Sequence, residues 1–341
     1  MKADPVLTLA WLILAHLVAD FVLQTSGVVA AKTARDRRAW RGFFDHAAGV
    51  GACLVPVALA FGGWGVIALV VIVLSHLVID RLKIVATRRT EVAALAESRR
   101  RHEGAAPPAG LGRAWTPAPA AWFVLDQLAH LAVIGLVWAI WLSGTPATAG
   151  WVAAADALTG GWDKAVVHEV LLVVVVALVL LIANVRAGAI FVATLVRPLE
   201  LRNELGGIGS TAADDIPRTG LGPASRPGWS FRIGPLSGRV VADPPPAAAA
   251  GDESDIAREP ATSPPPARVG ATIGILERLL IVTFVLVGAE AAIGLVIAAK
   301  TIARFRLLDD RDFAEYYLLG TLGSVSVAIF TGLVARVALT A

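Results

Sequence analysis

Two stretches of the chain, WLILAHLVADFVLQ (11–24) and VVIVLSHLVIDRLK (70–83), carry the same polar pair inside apolar surroundings. In each stretch a histidine stands four residues before an aspartate, giving the pairs His16 with Asp20 and His76 with Asp80. The flanking aliphatic residues are typical of a helix that crosses a bilayer. Because ionisable side chains are costly there, their repetition indicates a functional or a specific packing role.

The composition of the chain also indicates a membrane protein. Of its 341 residues, 56% are hydrophobic and 17% are charged, and the mean hydropathy is +0.69; a soluble domain has about 25% charged residues. The apolar residues form blocks near the ~20 residues that a spanning helix needs. The candidate spans are 5–24, 47–62, 64–82, 120–142, 166–187, 272–299 and 316–339. The sequence therefore predicts an all-α polytopic transmembrane helical bundle of about seven spans.

Lysine and arginine concentrate in the loops after the first, third and fifth predicted spans. Since such residues mark the cytoplasmic side, we expect the N-terminus outside and, with seven spans, the C-terminus inside. The segment 300–317 fits this orientation poorly, because it would lie outside with four basic residues matched by four acidic ones. An interfacial or re-entrant helix is the alternative for this segment.

The charge pattern and the cysteine content exclude some other classes of protein. Net charge is +3, and no basic stretch is interleaved with aromatic residues, so nucleic-acid binding is not expected. Cys53 is the single cysteine, which excludes an intrachain disulfide. We expect the N-terminal apolar block to be retained rather than cleaved as a signal peptide, because His16 and Asp20 would interrupt its apolar region.

The segment 206–270 differs in kind from the rest of the chain. It holds eleven prolines together with runs of alanine, a composition that cannot bury enough apolar surface to offset chain entropy. We expect a long disordered cytoplasmic linker that can dock a cytoplasmic partner. The predicted divisions are a four-span core bearing His and Asp (1–142), a fifth span with a flanking helix (143–205), the linker (206–270) and a two-span C-terminal part (271–341).

Four successive predicted spans each bring one aspartate and one histidine to a similar depth. Asp45 and His46 stand at the start of the second span, and Asp126 and His130 lie in the fourth. In the first, third and fourth spans the pair is spaced by four residues, which places both side chains on one helix face. The order reverses where the helix direction reverses. The sequence therefore predicts one polar layer within a single leaflet.

Three explanations of this layer remain open: structural hydrogen bonding between helices, a proton or cation path, and a divalent metal site. Four of the six histidines fall in the layer, and neutral imidazole with carboxylate is a ligand set for zinc, iron or manganese. The predicted metal ligands are His16, His46, His76, His130 and Asp45.

A metal ion at this depth would make hydroxide available to attack an ester, amide or phosphoester of a lipid-linked substrate. On this hypothesis Asp20, Asp80 and Asp126 are catalytic, and Gln24 and Lys83 bind the substrate at the exit of the spans. Secondary candidates in the C-terminal part are Glu277, Arg278 and Glu290. The alternatives are a proton- or metal-coupled transporter and a non-enzymatic membrane scaffold. A transporter needs polar groups that continue through the membrane.

These motifs also resemble a known family. HLVADFVLQ (16–24), DH (45–46), SHLVIDRLK (75–83) and DQLAH (126–130), with IGILERLLIVTFVLVG near the C-terminus, are similar to the domain-of-unknown-function 3307 membrane proteins. The resemblance covers about 1–142 and 270–330. It implies a protein of the bacterial inner membrane, surrounded by membrane lipids, without an established activity. It supplies no catalytic residues, and Ala289 stands where relatives carry an amide side chain.

Overall fold

The computed structural model describes residues 4–101, 115–197, 228–233, 236–241 and 266–340. Among them, six helices are long and apolar enough to cross a membrane, so the predicted helical bundle is confirmed. These six segments are Pro5–Leu23, Arg38–Phe61, Gly63–Ser98, Ala118–Leu142, Lys164–Val196 and Phe313–Thr340.

The first half of the chain forms a bundle of long helices with two short helices attached. Its elements are α1 (Pro5–Val18) with a π-helical turn (Ala19–Leu23), α2 (Ser26–Lys32), α3 (Arg38–Phe61), α4 (Gly63–Arg101), and α5 (Ala118–Val137) with a π-helical turn (Trp138–Leu142). The short helix α6 (Ala149–Thr159) follows, then α7 (Lys164–Ile182), a π-helical turn (Ala183–Ala187) and α8 (Gly188–Val196). The first helix begins where Asp4 accepts a hydrogen bond from Leu7 N and Pro5 occupies the first turn.

The four helices α1, α3, α4 and α5 pack around one apolar core. At its centre lies a layer of four side chains, one from each helix: Leu12, Val50, Ile72 and Ile134. All four are at most 4% exposed, and each stands four residues from a histidine on its own helix. This apolar layer therefore lies one helical turn from the predicted polar layer in every helix of the bundle.

Gly42 determines how the short helix α2 joins the bundle. A Cβ atom at position 42 would lie 2.5 Å from Lys32 N and 2.8 Å from Ala31 Cβ. Only glycine allows the end of α2 to approach the backbone of α3 this closely. Arg88 on α4 donates a further hydrogen bond to Thr33 O at the end of α2. Lys32 is thereby brought into the interior, where it is 3% exposed.

The predicted sixth span, 272–299, is wrong, because the chain folds there into two helices, α9 (Pro266–Leu286) and α10 (Ala291–Ala303). The turn between them uses Gly288 with φ +72°, a conformation that glycine adopts readily. Lys300 Nζ lies 2.6 Å from Glu277 Oε2, whereas a continuous helix would separate these residues by about 35 Å. The two helices therefore form an antiparallel hairpin.

The last helix, α11 (Arg311–Thr340), packs beside this hairpin. A short 3₁₀ turn (Phe305–Leu307) precedes it, and Tyr317 OH lies 3.2 Å from Thr301 Oγ1. At the opposite end of α11, Arg336 donates to Glu290 Oε1 at the tip of the hairpin over 2.9 Å. The charged segment 300–317 therefore comprises the end of α10, the 3₁₀ turn and the start of α11, and it lies at the end of these helices opposite the hairpin tip.

The hairpin predicts the side of the membrane from which residue 306 is accessible to a labelling reagent. In a Cys53→Ala background, cysteine at Arg306 should react with a membrane-impermeant maleimide from the same side as cysteine at Arg37, because α10 runs antiparallel to α9 and brings the chain back. Cysteine at Trp162, which is 69% exposed near the start of α7, should react from the opposite side. Labelling of position 306 together with position 162 would contradict the hairpin and restore the seventh span.

The predicted linker contains regular structure over part of its length. Strand β1 (Gly228–Ile233) pairs antiparallel with β2 (Leu236–Val241), with Gly228 opposite Val241 and Ile233 opposite Leu236. This hairpin belongs to a compact unit of its own, residues 216–269. The proline content of 206–270 did not predict these two strands, which carry β-favouring residues such as Trp229 and Phe231. The rest of 206–265 lies outside the described residues.

Candidate functional site: a buried histidine and aspartate cluster

Four imidazoles meet in one layer at the centre of the bundle. They are contributed by α1, α3, α4 and α5 as His16, His46, His76 and His130, and all are at most 4% exposed. The ring of His76 is central: its centroid lies 4.8 Å from that of His46 and 4.1 Å from that of His130. The structure thus brings all four predicted histidines together, one helical turn from the apolar layer.

Three carboxylates form the next layer, one helical turn further from the apolar core. Asp20 lies in the π-helical turn after α1, Asp80 on α4 and Asp126 on α5. Each is four residues from the histidine of its own helix, as the sequence spacing predicts. On α3 the equivalent position is Gly42, and the space beside it is taken by the end of α2.

Asp45 was predicted as a metal ligand, and the structure corrects this. Its side chain is exposed, whereas the neighbouring His46 is buried. Successive residues of an α-helix point about 100° apart, so the two side chains cannot both face the cluster. The inward histidine therefore fixes the outward direction of Asp45.

Two lysines compensate the buried carboxylates. Lys32 Nζ forms an ion pair with Asp80 Oδ2, both side chains being at most 7% exposed. Lys83 Nζ lies 2.7 Å from Asp126 Oδ2. Three carboxylates thus face two ammonium groups, and with neutral imidazoles the cluster carries one negative charge in excess. A buried charge of this kind is costly without a counterion.

Four polar atoms converge on one point between α1, α3 and α4. The two ring nitrogens His46 Nε2 and His76 Nε2 are 2.8 Å apart. Asp20 Oδ1 lies 3.3 Å from the first and 3.1 Å from the second, and Asp80 Oδ2 lies 3.4 Å and 3.8 Å from them. A tetrahedral zinc site with ligand distances of 2.0–2.1 Å has edges of about 3.3 Å. The three distances within the group of His46, His76 and Asp80, which are 2.8, 3.4 and 3.8 Å, scatter around that value.

Two further groups of side chains offer ligand atoms within 4.8 Å of one another. One is His16, Asp20 and His76, and the other is Asp80, Asp126 and His130. His76 and Asp80 each also belong to the group with His46. Any ion held by this cluster would therefore be bound by at least one of these two residues.

Three buried polar atoms of the cluster make no hydrogen bond among the described residues: His16 Nδ1, Asp126 Oδ1 and His130 Nε2. For His130 the cause can be traced, because Nδ1 lies 2.8 Å from the backbone carbonyl of Asp126. A carbonyl only accepts, so Nδ1 carries the hydrogen and Nε2 presents a bare lone pair. Ring nitrogens oriented in this way are common metal ligands.

Gln127 was not predicted, yet it connects the two sides of the cluster. Its Nε2 donates to Asp126 Oδ2 over 3.0 Å, so its Oε1 is the acceptor for His16 Nε2 at 3.2 Å. The side chain therefore fixes the orientation of one carboxylate and one imidazole. Gln127 directly follows Asp126 in the sequence, so a pattern of residues spaced by four, which identifies one face of a helix, does not include it.

A cavity of about 120 Å³ opens beside the carboxylate layer. Its polar lining includes Asp20, Asp80, both lysines, Gln24, Gln127 and Thr87. The predicted substrate-binding residues Gln24 and Lys83 thus lie at this cavity, whereas Asp126, predicted as catalytic, is not among its lining residues. Thr87 is 2% exposed and its Oγ1 makes no hydrogen bond among the described residues.

The three secondary candidates lie outside the cluster. Glu277 pairs with Lys300, and Glu290 pairs with Arg336. Arg278 is 3% exposed and donates through Nε to Asn184 O over 2.6 Å. These contacts join the C-terminal helices to one another and to the π-helical turn after α7, and a role of the three residues in the site stays a prediction.

Lys32 is the functional candidate that sequence reasoning missed. It was counted among the basic loop residues that mark the cytoplasmic side, and nothing in its own neighbourhood distinguishes it. The available signal was Gly42. It lies four residues from His46 and occupies on α3 the layer position that aspartate occupies on the other three helices. A glycine at that position predicts that another segment approaches there.

A family model described as "protein of unknown function (DUF3307)" matches residues 8–159 of the chain. The match includes all four helices that supply the histidines. No curated protein and no solved structure matches the chain.

Proposed function

We propose from the geometry of the cluster that this chain, of which residues 8–159 match the DUF3307 family of proteins of unknown function, is a metal-dependent membrane hydrolase acting on a lipid-linked substrate. The observation that carries the proposal is the convergence of His46, His76 and Asp80, whose ligand atoms lie within 4.8 Å of one another, with Asp20 Oδ1 beside both imidazoles. A hydrogen-bonded structural cluster would not leave His16 Nδ1, Asp126 Oδ1 and His130 Nε2 buried without a hydrogen-bond partner among the described residues.

The charges of the cluster support a divalent cation. The carboxylates exceed the ammonium groups by one, so a divalent ion would leave one positive charge in excess. That charge suits a single anionic ligand, either hydroxide or an anionic group of the substrate. Zinc, iron and manganese all accept this set of imidazole and carboxylate ligands.

The residues around the ion would have different roles, some as ligands of the ion and one in positioning other side chains. His46 and His76 would hold the ion with Asp20 and Asp80, which also line the cavity and so face an incoming substrate. A bound divalent ion supplies hydroxide from water near neutral pH and polarises the bond to be cleaved. Asp126 would act as a positioning residue, since it holds Lys83 and Gln127 at the cavity wall.

We further propose that the site faces the cytoplasm of a bacterial cell, with the N-terminus on the outer side of the inner membrane. The support is the charge distribution: the carboxylate layer lies toward Lys83, Arg88 and the basic loop after α1, and such residues favour the cytoplasmic side. Lipid substrates would then enter from the inner leaflet.

The strongest competing function, a proton- or metal-coupled transporter, needs a polar path to the opposite side. In the part of the chain that the structure describes, the apolar layer of Leu12, Val50, Ile72 and Ile134 lies directly beneath the imidazoles. Further buried apolar residues, including Leu54 and Val57, continue the core beyond it. This arrangement favours a site with one entrance over a path.

The proposal is tested by turnover in lipid nanodiscs. The purified full chain, depleted of metal and reloaded with zinc, manganese or ferrous iron, is incubated with an inner-membrane lipid extract, and hydrolysis products are sought by mass spectrometry. We expect metal-dependent products that disappear in Asp20→Asn, while the exposed control Asp45→Asn keeps wild-type rates. A metal-loaded protein that yields no product but moves the ion into vesicles would overturn the hydrolase and favour transport.

A further inference from the structure

The cavity beside the carboxylate layer is lined by two ammonium groups whose N–H donors are not all used by the contacts described. Each lysine ammonium has three N–H groups; Lys32 uses one at Asp80 and a second at Gln24 once that amide is turned, and Lys83 uses one at Asp126. The hydroxyl of Thr87 adds a donor without a hydrogen-bond partner among the described residues. All three side chains line the same cavity. The hydrogen-bond donors of the cavity that remain unused therefore suit a ligand group with several acceptor atoms.

The size of the cavity limits that group. A volume of about 120 Å³ is far below the 300–1,000 Å³ of sites that enclose a drug-sized ligand. It accommodates a small polar group, while the apolar lining of Phe21, Ile84, Phe123 and Ile190 suits the chain to which that group is attached. A sugar ring or a nucleotide would not fit inside.

We propose that this cavity binds a phosphoryl group, so that the substrates of the site are phosphoesters rather than carboxylic esters or amides. The inference rests on the proposed metal-dependent function and narrows its substrate class. A tetrahedral phosphoryl group presents several anionic oxygens, which match two ammonium groups and a hydroxyl. A carboxylic ester or an amide carries no charge at the bond to be cleaved and would leave both lysines without a new partner.

The corresponding reaction is hydrolysis of a phosphate monoester. The oxygen of water forms a bond to phosphorus, the bond between phosphorus and the alcohol oxygen breaks, and the proton from water is transferred to that oxygen. The products are inorganic phosphate and the alcohol. Asp20 and Asp80 would hold the ion that activates the water, and both line the cavity in which the phosphoryl group would lie.

The test measures binding of inorganic phosphate to the metal-loaded full chain in nanodiscs by calorimetry, with metal content determined in the same samples. Thr87→Val removes the unpartnered hydroxyl without leaving a buried charge, so it should fold. Its matched control is Thr90→Val, because the Thr90 hydroxyl bonds only to carbonyls of its own helix. We expect Thr87→Val to weaken phosphate binding about tenfold or more, with Thr90→Val unchanged.

A second pair of variants tests the lysines. Lys83→Gln should reduce phosphate affinity by more than about tenfold, whereas Lys164→Gln, which removes an exposed lysine near the start of α7, should leave it unchanged. Competition with phosphatidic acid in the nanodisc identifies the source of the group: displacement of phosphate supports a lipid phosphoester, and its absence supports a soluble phosphate compound.

The outcomes separate the two proposals. Metal-loaded protein that binds neither inorganic phosphate nor phosphatidic acid, or whose phosphate affinity is the same in Thr87→Val and Lys83→Gln as in wild type, overturns the phosphoryl site while leaving the metal site intact. Protein that binds no metal overturns the proposed function. Phosphate binding that depends on Thr87 and Lys83 would still support the cavity assignment in such a sample.

Discussion

His76→Ala is expected to remove the bound metal ion almost completely. His76 lies at the centre of the imidazole layer and belongs to two of the three groups that offer convergent ligand atoms. Loss of a residue that only supports a ligand already costs 10–100-fold in metal affinity, so loss of this imidazole should exceed about 100-fold. Elemental analysis after metal supplementation should find about one ion per wild-type chain and less than about 0.1 per variant chain.

Two controls make this result specific. His76→Gln retains most of the buried volume and a polar end, so it separates ligand loss from collapse of the core, and it should also lack the ion. Asp45→Ala removes an exposed carboxylate one residue from His46 and should retain full occupancy. Wild-type protein without stoichiometric metal, or His76→Ala that keeps its ion, would contradict the proposed metal site.

Lys32→Met is expected to be the most destabilising single change among the charged residues of the cluster. It leaves the carboxylate of Asp80 buried without its counterion, and breaking a buried pair in this way costs about 3–5 kcal/mol. The matched control is Lys164→Met, which breaks an ion pair with Asp156 whose side chains are 61% and 50% exposed; such pairs contribute about 0–1 kcal/mol. Thermal unfolding of metal-free protein in detergent measures both.

A double variant shows whether the loss of stability in Lys32→Met arises from the missing charge. The double variant Lys32→Met/Asp80→Asn removes both charges and should recover most of the lost stability, because neither partner is then left unpaired. Added divalent metal should also stabilise Lys32→Met more than wild type, since the ion replaces the missing cation beside Asp80. Equal destabilisation by the single and the double variants would show that packing of the lysine stem, rather than its charge, is responsible.

The polar layer was predictable because it depends on helix geometry alone. A spacing of four residues places His16 with Asp20, and His76 with Asp80, on one face whatever the exact helix ends are. The spacing of four does not apply to Asp45, because Asp45 is the direct neighbour of His46. Adjacent residues of a helix point about 100° apart, so an inward His46 directs the side chain of Asp45 outward.

The positions that sequence reasoning misplaced depend on contacts between distant segments. Lys32 enters the cluster because the α2 backbone meets Gly42, and the hairpin of α9 and α10 exists because the chain turns at Gly288. The hydropathy of residues 272–299 indicates only that both helices are apolar. It is the same for one spanning helix and for a hairpin of two helices. The ion pair of Glu277 with Lys300, which reveals the hairpin, joins residues 23 positions apart.

The apolar layer beneath the imidazoles has a consequence for the order of events at the site. Since the described helices close the core below His16, His46, His76 and His130, metal, substrate and product would share the entrance past Lys32 and Lys83. On the proposed function, an ion would have to reach the imidazoles before a phosphoryl group fills the cavity beside the carboxylate layer. Loading would then be sequential, a bound phosphate would trap the ion beneath it, and chelators should strip the metal more slowly from phosphate-saturated protein than from free protein.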